Sequence, residues 1–350
     1  MITISLCIIV KNEERTLSAC LDCLTDIVDE IIIVDTGSTD QTKAIASRYT
    51  SQIYDYEWNN NFADARNFSF SKATMDYIYA PDADEILDEE NRQRFLSLKK
   101  LLMPEIEIVQ MYYREQGLQT ILNVQRELRP KLFKRLRTFT WIDPIHETIR
   151  TAPVVFNSDI EILHCPQDSH SKRDFSIFEH AYETHHQLSP SLLSMYAKEL
   201  LKCGDSVDLA NASHIFEELI TQGCLSPDTE KKLSCALARY YRISKQSAGF
   251  LKVTTKDMAA TPCSEICCEL GEYFYALKDY REASLWFYSA AYEVEAILDI
   301  HSQGDIPRSR LADSYDRIAD SATDAETIST YQKLAADTRV EADSWTIPLE

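Results

Sequence analysis

Ile4-Ser5-Leu6-Cys7-Ile8-Ile9-Val10 is an apolar run of strand length that breaks into charge at Lys11-Asn12-Glu13-Glu14. The pattern returns at Glu30-Ile31-Ile32-Ile33-Val34, which ends on Asp35. Runs this apolar are buried on both faces, as strands of a parallel sheet are. Apolar residues between Glu14 and Leu24 recur at helical spacing. After the second run, Asp35-Thr36-Gly37-Ser38-Thr39-Asp40 reads as a turn that delivers a helix over Lys43 to Tyr49, with Asp40 or Thr39 as its N-cap. A third strand at Gln52 to Tyr56, a helix from Ala63 to Ala73 and a fourth strand from Tyr77 to Ala80 continue the alternation. Such alternation requires a parallel α/β sheet, the layout of a nucleotide-binding half.

Working outward, Asp88 to Leu102 predicts one further helix. Ile106 to Tyr113, Leu118 to Gln125, Lys131 to Lys134 and Ile160 to His164 read as strands, and the domain closes near Pro166. Beyond Arg173 helix follows helix, with turn signals at Gly204-Asp205, Ser226-Pro227 and Lys278-Asp279. Tyr196-Ala197 with Gly204-Asp205 and Phe216 resembles Tyr273-Phe274-Tyr275 with Asp279-Tyr280, Ala283 and Phe287. The offset of about 77 residues is close to two ~34-residue helix-turn-helix units, with Leu233 to Lys245 in the middle one. The expected domains are therefore 1–168, α/β, and 169–350, all-α and of tetratricopeptide-like repeats.

Length and composition agree with two ordinary domains: 350 residues, 45% hydrophobic and 26% charged, with only seven glycines. A net charge of −20 argues against nucleic acid or an anionic membrane as the main partner. The local exception is Arg126, Arg129, Lys131, Lys134, Arg135 and Arg137, which could dock a small anion or form a solvated strand face. No stretch is long and apolar enough to span a bilayer, and Ile2 to Val10 lacks the basic leader of a secretory signal, so a cytoplasmic protein is expected. Ten scattered cysteines, including adjacent Cys267 and Cys268, then read as reduced thiols. Cys20 and Cys23, and the group Cys263, Cys267 and Cys268, read as packing thiols. A second metal site among His164, His180, His185 and His186 remains open.

Ligands of open α/β sheets bind beyond the carboxyl ends of the strands, so Asp35, Asp82 and Asp84 are expected to converge on one crevice. Three carboxylates repel one another unless a cation or hydrogen-bond donors intervene. Asp82-Ala83-Asp84 can turn one carboxylate toward a ribose and the other toward a divalent ion that holds two phosphates. The same acids, with Glu85, Asp88, Glu89 and Glu90, would also suit the start of a helix. Neither GxGxxG nor GxxxxGK[ST] occurs, which argues against dinucleotide oxidoreductases and P-loop phosphotransferases.

Together with Ile4 to Glu14 and Ile33 to Thr42, three later elements carry a family resemblance. They are Trp58-Asn59-Asn60-Asn61-Phe62-Ala63-Asp64-Ala65-Arg66-Asn67, Pro81-Asp82-Ala83-Asp84-Glu85, and the pair Arg129-Pro130-Lys131-Leu132-Phe133-Lys134 and Ile145-His146-Glu147. This order resembles family 2 glycosyltransferases of GT-A fold, in the branch that includes bacteriocin S-glycosyltransferases and carries tetratricopeptide-like helices after the catalytic domain.

The resemblance implies inverting, metal-dependent transfer of glucose or a related hexose from a nucleoside diphosphate sugar, UDP-linked, to a peptide or protein acceptor at Cys, Ser or Thr. It implies that Asp35 contacts the nucleobase, with Val10, Asn12 and Glu13 lining the same pocket. Asp82 and Ala83 would face the ribose, and Asp84 would bind Mn²⁺ or Mg²⁺ with His146 as second ligand, a nitrogen donor favouring Mn²⁺. Arg66 would meet a donor phosphate or hold Asp84, and Arg129 or Lys131 would neutralise the departing diphosphate. Glu147, then Asp143 and Glu127, are the candidate bases, and Glu147 could instead orient His146. A thiol acceptor would need the least help from a base. An inactive transferase-like scaffold for a partner of the helical repeats, and a transferase acting on a surface glycan, stay open, as does a homodimer. A nucleotidyltransferase is disfavoured because Val10 to Glu14 lacks a glycine-rich basic loop.

Overall fold

The computed structural model describes residues 1–115, 127–136, 141–142, 148–149, 153–165 and 171–347. The chain divides into two compact units, the first running to Ala181 and the second starting at Tyr182.

In the first unit β1 (Ile4–Val10), β2 (Glu30–Asp35), β3 (Ile53–Asp55) and β4 (Tyr77–Tyr79) alternate with α1 (Leu17–Asp22), α2 (Thr42–Ala46) and α3 (Phe62–Phe70). They are followed by β5 (Glu85–Ile86), α4 (Glu89–Leu101), β6 (Ile108–Glu115), β7 (Glu127–Lys134), β8 (Trp141–Ile142), β9 (Thr148–Ile149) and β10 (Val155–His164). Eight of these strands form one mixed sheet in the order β3-β2-β1-β4-β7-β6-β10-β5, and β8 pairs with β9 separately. β3, β2, β1 and β4 are mutually parallel, β7 enters antiparallel between β4 and β6, and β10 lies parallel to β6.

β1 is central because its side chains serve two cores. Ile4, Leu6, Ile8 and Val10 pack with Leu17, Leu21, Leu24 and Phe95 on one face, while Cys7 packs with Ile32, Ala73 and Ile78 on the other. Each Ile or Leu so buried contributes roughly 1.5–3 kcal/mol. Polar residues at the sheet's start are matched. Glu30 accepts from Ser5 Oγ, from Thr74 N at 2.9 Å and from Thr74 Oγ1 at 3.0 Å.

Two predicted helices are shorter than expected. Residues 11–16 form a turn in which Asn12 takes φ 57, and the helix expected from Glu14 starts at Leu17. The helix expected from Lys43 to Tyr49 spans Thr42–Ala46, with Gln41 as its N-cap. Asp40 Oδ1 still accepts from Thr42 N at 3.0 Å. The strand expected at Leu118 to Gln125 lies outside the described residues.

α5 (Ser171–His185) spans the boundary between the units. The second unit is all helical, with α6 (Pro190–Cys203), α7 (Ser206–Gln222), α8 (Pro227–Ile243), α9 (Ser247–Ala259), α10 (Ser264–Ala276), α11 (Tyr280–Tyr292), α12 (Asp305–Ser321) and α13 (Ala325–Ser344). The turn signals do what their chemistry dictates. Asp205 and Asp208 close a capping box on α7, Ser226 caps α8 with Pro227 in its first turn, and Asp279 caps α11 by accepting from Glu282 N. Tyr196 of α6 meets Phe216 of α7 edge-on at 5.3 Å, so the aromatic residues in the repeated sequence pattern pack between successive helices. Among the described residues no helix is long and apolar enough to cross a membrane.

Candidate active site

Parallel pairing fixes the site. With β1 between β2 and β4, Asp35 at the end of β2 and the loop after β4 come to the same edge of the sheet. Asp35 is 1% exposed. Its Oδ1 accepts from Gly37 N and Ser38 N, both at 2.9 Å, so the left-handed Gly37 (φ 102) folds the turn around the carboxylate. Its Oδ2 is buried and meets no hydrogen-bond partner among the described residues. A buried acceptor without a partner costs about 1–3 kcal/mol, which a ligand N–H can recover.

Val10, Asn12 and Glu13 lie beside the turn that carries this acid. Val10 O accepts from Thr36 N at 3.0 Å, and Asn12 Oδ1 accepts from Thr39 N at 2.8 Å while its own N–H donates to Ser38 Oγ at 2.9 Å. These bonds tie the β1 exit to the turn after β2. Glu13 N donates to Thr42 Oγ1 at 2.7 Å, and burial, reinforced by the nearby Asp84 charge, raises the Glu13 carboxyl above its usual range.

The loop after β4 is held from below. Ala83 is buried, Cys20 Sγ donates to Asp82 O at 3.4 Å, and Glu85 N donates to Asp82 O at 3.1 Å. Asp82 Oδ1 lies 3.4 Å from Arg66 Nη2, and its Oδ2 lies 3.6 Å from Lys131 Nζ. Enclosure opposes the charge on Asp82, but Lys131 and Arg66 outweigh it and hold the carboxyl below the usual carboxylate range. Asp84 Oδ2 lies 2.9 Å from His164 Nε2 at the end of β10, and Cys165 N donates to Asp84 O at 2.9 Å. His164 is in turn tilted against Tyr113, with ring centroids 5.1 Å apart.

Two sequence expectations change. Arg66 forms its ion pair with Asp82 and not with Asp84, because α3 delivers it under the first acid of the loop. Lys131 does not face a departing diphosphate. Its side chain is 7% exposed and donates to Glu85 Oε1 at 2.5 Å, since β7 places it beneath the loop. Arg129 stacks on Tyr113, its guanidinium carbon 3.8 Å from the ring centroid, and bonds Glu127 at 3.1 Å, remaining partly exposed at the rim. Asp143, His146 and Glu147 lie outside the described residues.

The reading of the sequence missed the pairing of Asp84 with His164. Its signal was a histidine closing a strand, and only the β10–β5 pairing, which sets His164 opposite Glu85, brings it to the loop. It also missed Glu85, 2% exposed, whose carboxyl burial pushes up to about 7 despite Lys131 beside it.

The donor set fits a divalent ion. Two adjacent ligands of an octahedral ion at ~2.0–2.1 Å stand roughly 2.9 Å apart, the separation of Asp84 Oδ2 and His164 Nε2.

Comparison with known proteins agrees with this architecture. Residues 5–161 match the profile of the family described as Glycosyl transferase family 2. A TPR repeat-containing protein of Synechococcus elongatus is 44% identical over 87 residues, 25% of this chain and 22% of that one. The SPbeta prophage-derived glycosyltransferase SunS of Bacillus subtilis is 36% identical over 102 residues, 29% of this chain and 24% of that one. The chain thus covers less than a quarter of either relative's length. Among solved structures, glucosyl-3-phosphoglycerate synthase from Mycobacterium tuberculosis in complex with Mn²⁺ and UDP-glucose aligns over 54% of this chain and 80% of that one, at 15% identity and a TM-score of 0.37. Residues 5–161 thus resemble family 2 glycosyltransferases and are followed by a region of stacked helices.

Proposed function

We propose that the first unit transfers a hexose, glucose or a close relative, from a UDP-linked donor to a peptide or protein acceptor with inversion. The observation that carries this reading is the Asp84–His164 pair, 2.9 Å apart at the same sheet edge as the unpartnered Oδ2 of Asp35. Asp35 Oδ2 accepts an N–H of the nucleobase, and Asp82, fixed by Arg66 and Lys131, receives the ribose hydroxyls. Asp84 and His164 hold Mn²⁺, which a nitrogen ligand favours over Mg²⁺ and which supplies charge neutralisation for the diphosphate when bound. His146 is a further candidate ligand. Arg129, partly exposed at the rim, adds positive charge for the leaving group. Glu147 deprotonates the acceptor, with Asp143 as the alternative base.

Support for a peptide acceptor is the sequence similarity to SunS, together with a helical region long enough to present an extended binding surface. The test is a scan of nucleotide sugars with Mn²⁺ by melting shift, followed by mass spectrometry of peptides encoded beside the gene. One donor should stabilise the protein and leave a hexose on a peptide. A protein that binds a peptide but is shifted by no donor would be a scaffold instead, and hexose found only on a glycan would overturn the peptide reading.

A further inference from the structure

In the second unit, Cys235 Sγ, Cys263 Sγ and a Glu265 carboxylate oxygen all lie within 4.8 Å of one another, far along the chain from the acids of the sheet edge. Cys235 and Cys263 are 0% exposed and Glu265 is 2% exposed. The three come from two helices, Cys235 from the middle of α8, and Cys263 and Glu265 from the start of α10. Asp257, near the end of α9 and also buried, places its carboxylate oxygens 3.8 and 3.9 Å from Cys263 Sγ.

Three features distinguish this group from thiols that merely fill space. Two sulfurs bound to one tetrahedral ion at about 2.3 Å stand roughly 3.8 Å apart, and Cys235 Sγ and Cys263 Sγ are 3.7 Å apart. Cys263 occupies the N-cap of α10, where Ser, Thr or Asp would bond the helix N–H groups, yet its side chain makes no capping bond. Its sulfur instead faces Cys235 and Asp257. Finally, both carboxylates are held in place before any ligand arrives. Glu265 Oε1 accepts from Ile297 N, Leu298 N and Asp299 N at 2.9, 2.6 and 3.0 Å, and Asp257 Oδ2 accepts from Cys263 N at 3.3 Å. Lys231, 3.5 Å from Asp257, offsets one of the two buried acids.

We propose that Cys235, Cys263 and Glu265 bind a single Zn²⁺-class ion, with Asp257 completing the shell, and that this ion ties α8, α9 and α10 together. Thiolates select zinc or cadmium over manganese and magnesium, so the site is chemically separate from the one on the first unit. On binding, each thiol loses its proton to water and forms a sulfur–metal bond. No oxidant takes part, and the metal keeps its charge.

The test uses the full chain, stripped of metal and kept reduced. Cd²⁺ alone is titrated while the ultraviolet thiolate-to-cadmium band is followed, and Zn²⁺ alone is titrated against a coloured indicator. The expected result is saturation at a single ion per chain, a raised melting temperature, and no competition from Mn²⁺. Cys235→Ser and Cys263→Ser should each lose the band, Asp257→Asn should weaken binding about 10-fold, and Cys267→Ser should leave it unchanged. Because a serine variant could fail to fold, the wild-type chain supplies a second readout, in which Zn²⁺ should protect Cys235 and Cys263 from alkylation as mapped by peptide mass spectrometry. Absence of the band and of protection in the folded wild-type chain, or an unchanged band in folded Cys263→Ser, overturns the proposal.

Discussion

Asp84 Oδ2 and His164 Nε2 stand 2.9 Å apart, which joins the loop after the fourth strand to the far end of the tenth. If this pair holds the ion, His164→Ala and Asp84→Ala should each weaken Mn²⁺-dependent thermal stabilisation by at least about 10- to 100-fold in metal affinity, the loss typical even for groups that only support a ligand. The circular dichroism of both variants should remain that of the parent. His146→Ala measured alongside decides whether that residue shares the shell. A His164→Ala protein with undiminished Mn²⁺ affinity would remove His164 from it.

Lys131 and Glu85 form an ion pair whose side chains are 7% and 1% exposed. Lys131→Met should cost about 3–5 kcal/mol in denaturant unfolding, because it strands a buried carboxylate, whereas Glu85→Gln with Lys131→Met should cost less. Glu85 already has its carboxyl raised to about 7, chiefly by burial. A raised folded-state value favours the folded protein while the group is protonated, and that contribution fades as pH climbs through the folded-state value. Lys131 holds that value down, so Lys131→Met raises it further, and the deficit of the variant should be larger at about pH 8, where the parent keeps a paired carboxylate, than at about pH 5.

Asp35→Asn keeps an acceptor for the Gly37 and Ser38 N–H groups if its carbonyl takes the place of Oδ1, but sets an amide where Oδ2 has no partner. Hydrogen bonds to a charged acceptor are worth about 1.5–3 kcal/mol. Nucleotide affinity measured by calorimetry should fall roughly 10- to 100-fold, with little change in melting temperature. A large loss of stability with unchanged affinity would mean that Asp35 serves only its own turn.

Glu30 is buried at the start of β2, and burial alone would raise its carboxyl. Ser5, Thr74 and Gln52 donate to it and bring it below the ordinary value. Its stabilisation is then present above about pH 4.3 and is lost as pH falls through the lower folded-state value. Glu30→Gln should flatten that part of the acid-unfolding profile and cost about 1–3 kcal/mol at neutral pH.

Gly271 in α10 faces Phe287 of α11 so closely that an added Cβ would lie 2.6 Å from the ring. Gly271→Ala should lower stability by about 1–3 kcal/mol despite its better helix propensity, because the two helices must separate. An unchanged or raised melting temperature would show that the ring can yield.

Much of the first unit was legible because its signals are local. An apolar run of strand length can be buried on both faces whatever its neighbours, and an acid placed at the end of such a run must reach the sheet edge, as Asp35 does. The turns at Asp205, Ser226 and Asp279 were legible for the same reason, since each of these residues satisfies N–H groups within the first turn of the helix it starts. Helix lengths were not. The turn through Asn12 and its bonds to Ser38 and Thr39 depend on a loop from another part of the chain, and they keep residues 11–16 out of α1.

The sequence by itself determined the alternation of strand and helix, the acids at the strand ends, and the helical character of everything after Arg173, because periodicity and capping are properties of neighbours in the chain. Only the tertiary structure decided that Lys131 turns inward to Glu85, that Arg66 serves Asp82, and that His164 meets Asp84. Those outcomes depend on strand order and register, and two residues 80 positions apart, such as Asp84 and His164, carry no local signal of the pairing that joins them.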